Sequence, residues 1–385
     1  MDMQIIKYVD RYLGIPSIIA VAAFDKFLLP LRTFRKKPKK VQKILFIKFW
    51  GFGNLIMAMP AVKAVKERFP DAEIRFLTLK QNRGVLDGLD FIDKVVYFEI
   101  DGLAKFPFEF LGLARRFRKE KVDMVIDLEQ FARASALFTY FTGAPIKVGY
   151  KTKNQGKHYL YTKVVDYNNH QHTACTFFDI AKSFGSDKTP KLIKVKYSRE
   201  DSKSVDELLN KNKVSKKDVI IGMHIGSGEN ADVRRWPKEN FAALADKLIE
   251  KHNAKIFFTG SPSEAGDINE TLKLMKHRAF STAGTFSLKQ LASFMEHCRM
   301  FVSNDTGPLH LAAAMKVKCV CFFGPNTPLL YGPFSDNNLV FYKGLQCSPC
   351  ITNFNAKTTG CKDPICITGI TVDEVFSAMS KSLKN

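Results

Sequence analysis

Twice along this chain, short apolar runs rich in β-branched residues alternate with stretches of helical periodicity, and no other feature of the sequence narrows the fold as much. In the first half the runs are ILFIKFW (44–50), EIRFLTL (73–79), KVVYF (94–98) and MVIDL (124–128), with helical patterns near 55–68, 103–120 and 131–142. In the second half they are VIIGMHIG (219–226), KIFFTG (255–260), MFVSND (300–305) and CVCFFG (319–324), again separated by helical stretches. Unbroken apolar runs of this length suit strands buried on both faces, and strand–helix alternation suits a parallel sheet covered by helices. The expected class is α/β with two Rossmann-like domains, and 385 residues at 45% apolar composition suffice for two separate cores. The polar stretch from Ser198 to Asp218 reads as an exposed helix and linker. The expected segments are therefore 1–40, 41–197, 198–218, 219–345 and 346–385.

A formal charge of +21 points to an anionic partner: nucleic acid, a membrane surface or a phosphorylated substrate. No nucleic-acid-binding motif is present, and the densest basic run, Arg32, Arg35, Lys36, Lys37, Lys39, Lys40 and Lys43, adjoins an apolar stretch, GIPSIIAVAAF (14–24). That stretch is too short to span a bilayer, which takes about 20 apolar residues. A secretory signal would carry its charge before the apolar part, the reverse of the order here. The pairing suits an interfacial anchor on an anionic membrane, each cation adding about 1 kcal/mol; an ordinary packed helix followed by a solvated basic linker is the alternative.

In open α/β sheets ligands bind beyond the carboxyl ends of the strands, so the post-strand loops hold the candidate site residues. SNDTGPLHLAAA (303–314) turns through Asp305, Thr306 and Gly307 into a helix whose first amides and dipole favour an anion such as phosphate. Alternatively Asp305 or Thr306 caps that helix. Gly226 and Ser227 follow VIIGMHI within a G-S-G turn (226–228), and RRWP (234–237) brings Arg234 and Arg235, able to clamp a diphosphate. TGSPSE (259–264) places Glu264 where a carboxylate can take ribose hydroxyls, or simply start a helix.

These elements, with KFWGFGNLIMAMPAVKAVKERFPDAEI at the start of the first half, resemble glycosyltransferase family 9, the ADP-heptose:lipopolysaccharide heptosyltransferase family, in order from about Lys43 to Val375. The resemblance implies a GT-B fold and an inverting, metal-independent transfer from a nucleotide-sugar donor, with no required cofactor. It implies an acceptor-binding first domain, a donor-binding second domain and a lipopolysaccharide-core or related lipid-linked acceptor. The place of action implied is the inner, cytoplasmic face of the bacterial cytoplasmic membrane, with no nucleic-acid partner. By position, Asp305, Thr306, Gly307 and His310 would meet the donor's sugar and diphosphate, Arg234 would stand for the family's usual Lys, and Glu264 would bind ribose. Outside the motif, His310 reads as a buried core histidine.

Gly51 and Gly53 permit a tight turn after the first strand, and Asn54 reads as a helix cap. In the family a carboxylate at the Asn54 position is thought to be the general base. An amide can orient an acceptor hydroxyl but cannot take its proton at neutral pH. Three explanations stand: Glu129, with Asp127 beside it after MVIDL, supplies the carboxylate; the leaving diphosphate or a water takes the proton; or the chain binds without catalysis.

Eight cysteines in a chain this long do not make a secreted disulfide scaffold. Cys175, Cys298, Cys319 and Cys321 sit in apolar runs and read as core residues. Cys347, Cys350, Cys361 and Cys366 are spaced C-x2-C-x10-C-x4-C, consistent with structural zinc, free or redox-active thiols, or disulfides.

Overall fold

The computed structural model describes residues 3–28, 38–99, 102, 106–215, 217–227, 232–355 and 358–384. Arg32, Arg35, Lys36, Lys37, Gly228 and the start of the 103–120 helical pattern lie outside them. The chain divides into two compact units, Met1–Pro190 and Lys191–Asn385.

The first unit holds a six-stranded parallel sheet of β1 (Lys43–Ile47), β2 (Glu73–Leu79), β3 (Lys94–Phe98), β4 (Met124–Asp127), β5 (Ile146–Lys151) and β6 (Lys163–Asp166), in the order β3-β2-β1-β4-β5-β6. Its helices are α1 (Met3–Leu28), α2 (Phe52–Arg68), α3 (Phe106–Lys119), α4 (Arg133–Phe141) and α5 (Thr173–Lys182). β1 is buried along its length because both faces are covered. Leu45 and Ile47 pack with Phe110, Phe117 and Phe138 of α3 and α4, and α2 and α5 pack together elsewhere in the unit. α1 docks on α4 and on a 3-10 turn at Lys157–Leu160. Among the described residues no helix is long and apolar enough to cross a membrane.

The second unit repeats the plan with β7 (Ile220–His224), β8 (Lys255–Phe258), β9 (Phe280–Ser281), β10 (Met300–Asn304), β11 (Lys318–Phe323) and β12 (Leu339–Tyr342), all parallel, in the order β12-β11-β10-β7-β8-β9. Its helices are α6 (Arg199–Lys211), α7 (Lys238–His252), α8 (Ala265–Leu274), α9 (Leu288–His297), α10 (Gly307–Ala314), α11 (Pro328–Tyr331), α12 (Ile365–Thr368) and α13 (Val372–Lys384). In each sheet the first and fourth strands are neighbours and the strand order reverses between them, the switch point at which such sheets bind ligands.

Two expected segments are redrawn. The stretch from Ser198 is not a linker: a Ser198–Asp201 capping box starts α6, which buries Val205 and Leu209 and packs on α9 within the second unit. Nor are residues 346–385 a separate tail. Ile367, Ile370, Val375 and Met379 join Trp236, Phe241 and Phe322 in the second unit's core, and Trp236 Nε1 donates to Ile370 O at 2.9 Å.

Candidate active site

At the first unit's switch point, Ile47 pairs in register with Asp127, so the loop after β1 runs level with the loop after β4. Glu129 Oε1 accepts from the backbone N–H groups of Phe49 (2.7 Å) and Trp50 (2.9 Å), and Oε2 meets Lys48 Nζ at 2.8 Å. Lys48 Nζ also donates to Trp50 O, and Asn82 Nδ2 donates to Phe49 O and Thr78 Oγ1. Glu129 is only 5% exposed. Its carboxylate is engaged by two amides and an ammonium within the fold, and these contacts brace the β1–α2 loop.

Asp127 is fully buried, which corrects its expected catalytic place. Its Oδ1 accepts from Glu129 N, and its Oδ2 from Ser135 Oγ (2.7 Å) and the Tyr161 hydroxyl, with Lys157 Nζ at 3.3 Å. Lys157, fully buried as well, also donates to Glu129 O and Ser135 Oγ. Burial and the adjacent Asp127 carboxylate push the Tyr161 phenol well above its usual value. A buried ion pair with these partners orders its surroundings.

The loop presents Gly51, exposed at φ +77°, as the cap of α2, and Gly53 is buried within the helix. Asn54 is therefore not the cap but a half-buried residue of the first turn. A Cβ on Gly51 would lie 3.1 Å from Asn54 Nδ2, so glycine serves both the backbone angle and the close approach.

In the second unit the bridging group is an amide. Asn304, at the end of β10, donates from Nδ2 to Ile225 O (2.8 Å) and Gly226 O (3.1 Å) and accepts from Trp236 N through Oδ1. The next residue, Asp305, is buried, and its Oδ2 accepts from Arg234 Nη1 (3.2 Å) and Asn326 Nδ2 (2.6 Å). Arg234 Nη2 donates to Ser227 O, while Arg235 donates to Ser227 Oγ and Asp267 Oδ2. Gly226, Ser227, Arg234, Arg235 and Asp305 are thus brought into one cluster.

The expected cap at α10 is not made. Thr306 occupies the cap position, but its hydroxyl bonds Ser303 Oγ at 3.0 Å and no side chain caps the helix. Gly307 opens the helix, Pro308 has no N–H to satisfy, and His310 is buried one turn in. Glu264 behaves as a helix-start residue: Oε2 accepts from Ser261 N (2.7 Å) and Oγ (2.8 Å) in a capping box. Its Oε1 lies over the β7 loop, 3.6 Å from His224 Nε2, and a Cβ on Gly226 would stand 1.6 Å from it. Burial lowers the His224 imidazole below its usual range, with Glu264 and Thr259 O acting in the opposite sense. Lys48, Asn82, Lys157, Asn304 and Asn326 were not singled out in the sequence; of these, Asn304 and Asn326 carried a readable signal, since both stand at or just after a strand end.

Of the cysteines, Cys298, Cys319 and Cys321 are buried and Cys175 half-buried, and all four are free thiols. Cys347 is exposed, Cys350 and Cys361 half-buried and Cys366 buried on α12. Burial raises the Cys366 thiol, and the charges of Cys350, Cys347 and Cys361 push it the same way, which places the four in one neighbourhood. All four are free thiols, and among the described residues no group of three or more His, Cys, Asp or Glu is placed to hold a metal ion.

A sequence profile of glycosyltransferase family 9 (heptosyltransferase) matches residues 110–359. Lipooligosaccharide heptosyltransferase 2 of Campylobacter jejuni is 25% identical over 343 residues, covering 86% of this chain and 96% of its own. Among solved structures, a glycosyl transferase family 9 protein of Veillonella parvula superposes with TM-score 0.78 at 21% identity, covering 91% of this chain and 99% of its own. The Escherichia coli ADP-heptose LPS heptosyltransferase II superposes at 0.72 and 20% identity, covering 89% and 99%. The two parallel-sheet units are those of the GT-B class. With the profile spanning well over half its length, the chain belongs to glycosyltransferase family 9 (heptosyltransferase) and is a glycosyltransferase.

Proposed function

We propose that the chain transfers heptose from ADP-heptose, with inversion, to a lipopolysaccharide-core or related lipid-linked saccharide at the inner face of the cytoplasmic membrane. The observation that carries the donor half is the cluster of Arg234 and Arg235 beside Ser227 and Asp305, next to an α10 start that no side chain caps. Guanidinium groups beside a helix start together suit a diphosphate. The lipid acceptor is suggested by the names of relatives such as the Campylobacter jejuni enzyme.

In this reaction an acceptor oxygen attacks the anomeric carbon from the face opposite the diphosphate. The new C–O bond forms as the anomeric carbon–phosphate oxygen bond breaks, and ADP departs with the bonding electrons. Arg234, Arg235 and the α10 amides stabilise the charge that develops on the leaving group. No cofactor is needed for that step. Glu129 and Asp127 are occupied elsewhere, so the acceptor proton passes to water or to the departing diphosphate while Asn54 orients the hydroxyl. Asn54 also favours a second reading, a chain that binds the donor without catalysis.

The test is thermal unfolding with ADP, UDP and GDP, followed by product analysis with ADP-heptose. A ligand at a hundredfold its Kd adds about 2.7 kcal/mol. ADP alone should stabilise the protein, and Arg234→Ala should abolish the shift. A preference for UDP or GDP overturns the donor assignment, and donor binding without product supports the second reading. Stoichiometric zinc in protein prepared without chelator would assign the four tail thiols a structural role.

A further inference from the structure

Helix α1 has two apolar sides. The inner one is fixed to the first unit. Asp10 accepts from the backbone N–H groups of Arg133 (3.0 Å) and Ala134 (2.8 Å), at the start of α4, and Asp25 accepts from the Tyr140 hydroxyl at 2.6 Å. Between them Ile18 is fully buried against Ala136, Leu160 and Tyr161, and Gly14 lies so close that a Cβ there would stand 2.6 Å from Arg133 Cδ.

The outer side is exposed. At about 100° per residue, Tyr12, Leu13, Pro16, Ile19, Phe24 and Phe27 fall within an arc of roughly 140° opposite Asp10 and Ile18. All six are exposed, Leu13 at 62%, Phe24 at 58% and Phe27 at 79%. From Tyr12 to Phe27 the arc contains no charged residue. A contiguous apolar face of this kind on a folded unit marks an interaction surface. Its occupant is indicated by charge, because Arg32, Arg35, Lys36, Lys37 and Lys39 follow directly in the sequence and the whole chain carries +21. An apolar helical face next to a basic run is the pairing that anionic bilayers select.

We infer that α1 is a rigid interfacial seat: it lies flat on an anionic bilayer, with Leu13, Ile19, Phe24 and Phe27 at the acyl boundary. Because Asp10 joins α1 to the start of α4, the seat is continuous with the element that carries Ser135, a partner of Asp127. The inference rests on the lipid-acceptor reading above for its choice of partner. Its test uses neither donor nor acceptor, so failure of one is distinguishable from failure of the other.

The full chain is floated with vesicles of phosphatidylethanolamine and phosphatidylglycerol, or of phosphatidylcholine alone. The protein is expected to float with the anionic vesicles, and Ile19→Asp/Phe24→Asp to lower that binding by about tenfold or more. Lys36→Gln/Lys37→Gln/Lys39→Gln should weaken binding to anionic vesicles only. Phe27→Asp, at a side chain too exposed to disturb the fold, should act in the same direction as the double variant. Failure of the unaltered protein to float, or equal flotation of the Asp variants, overturns the inference. So does a change from dimer to monomer in the Asp variants without flotation of the parent, which would make the face an interface between two copies.

Discussion

Replacing Glu129 by Gln separates a brace from a base. The side chain keeps its size, but one of its two ends becomes an NH2 group. If the carbonyl oxygen stays on Phe49 N and Trp50 N, the new donor faces Lys48 Nζ, which the carboxylate now meets at 2.8 Å. If it flips, the donor faces the two amides. In either arrangement a buried ammonium loses its counter-charge, and breaking a buried pair from one side costs about 3–5 kcal/mol. For a unit of this size each kcal/mol shifts the midpoint by about 2–4 °C, so the first unit should lose roughly 6–20 °C. Trp50 and Trp236 are the only tryptophans and Trp236 is buried, so acrylamide quenching reads the loop through Trp50. Quenching should rise in Glu129→Gln, and turnover should fall in proportion to loop disorder while ADP binding holds. Adding Lys48→Met removes the stranded charge and should restore a large part of the lost stability. A Glu129→Gln protein with unchanged melting and quenching but turnover reduced a thousandfold or more would refute the brace and make Glu129 the proton acceptor.

Two further outcomes bear on the second unit. Gly226→Ala puts a methyl where Glu264 Oε1 now lies, so the Glu264 carboxylate must shift. A loss of about 1–3 kcal/mol is expected together with weaker ADP binding, and Glu264→Ala in the same chain should recover stability; an unchanged melting point would show that the loop is not packed this way. His224 is held neutral by burial, with its pKa below the ordinary histidine value of 6.5. The unfolded chain therefore binds the proton first, so this contribution to stability is intact above pH 6.5 and declines as pH falls from there through the folded-state pKa. His224→Gln should flatten the stability profile over that acid window, and an unchanged slope would place the titration elsewhere.

Most of the strands that could be read from the sequence are buried on both faces, with KVVYF (β3), a half-buried edge strand, the exception. ILFI, EIRFLTL and CVCFF need no partner to be recognised, because their neighbours on either side are helices. The missed strands lie toward sheet edges: β5 carries Lys147 and Gly149, β6 is KVVD, β9 has two residues and β12 is half-exposed. The residues of the Arg234–Asp305 cluster stood out because they lie between a strand end and the next helix. The role of Glu129 was not, since a carboxylate after β4 reads the same whether it faces a ligand or a neighbouring loop. The β1–β4 register decides between them, and register is a tertiary property. Lys157, the partner of Asp127, is thirty residues away in sequence and sits in a polar stretch with no pattern to mark it.

The two switch points have the same strand order but are bridged by different groups, a carboxylate in the first unit and an amide in the second. In the first unit, the amides of Phe49 and Trp50 already point at the Glu129 carboxylate, which also pairs with Lys48, so these two amides are not available to a phosphate. In the second unit the bridge is Asn304, a neutral group that uses its N–H donors on the carbonyls of Ile225 and Gly226 and leaves the start of α10 to other ligands. Arg234 and Arg235 add positive charge beside that start. On the proposed reading the diphosphate lies after β7 and β10, and the loop after β1, held in one shape around Gly51 and Asn54, orients the acceptor hydroxyl.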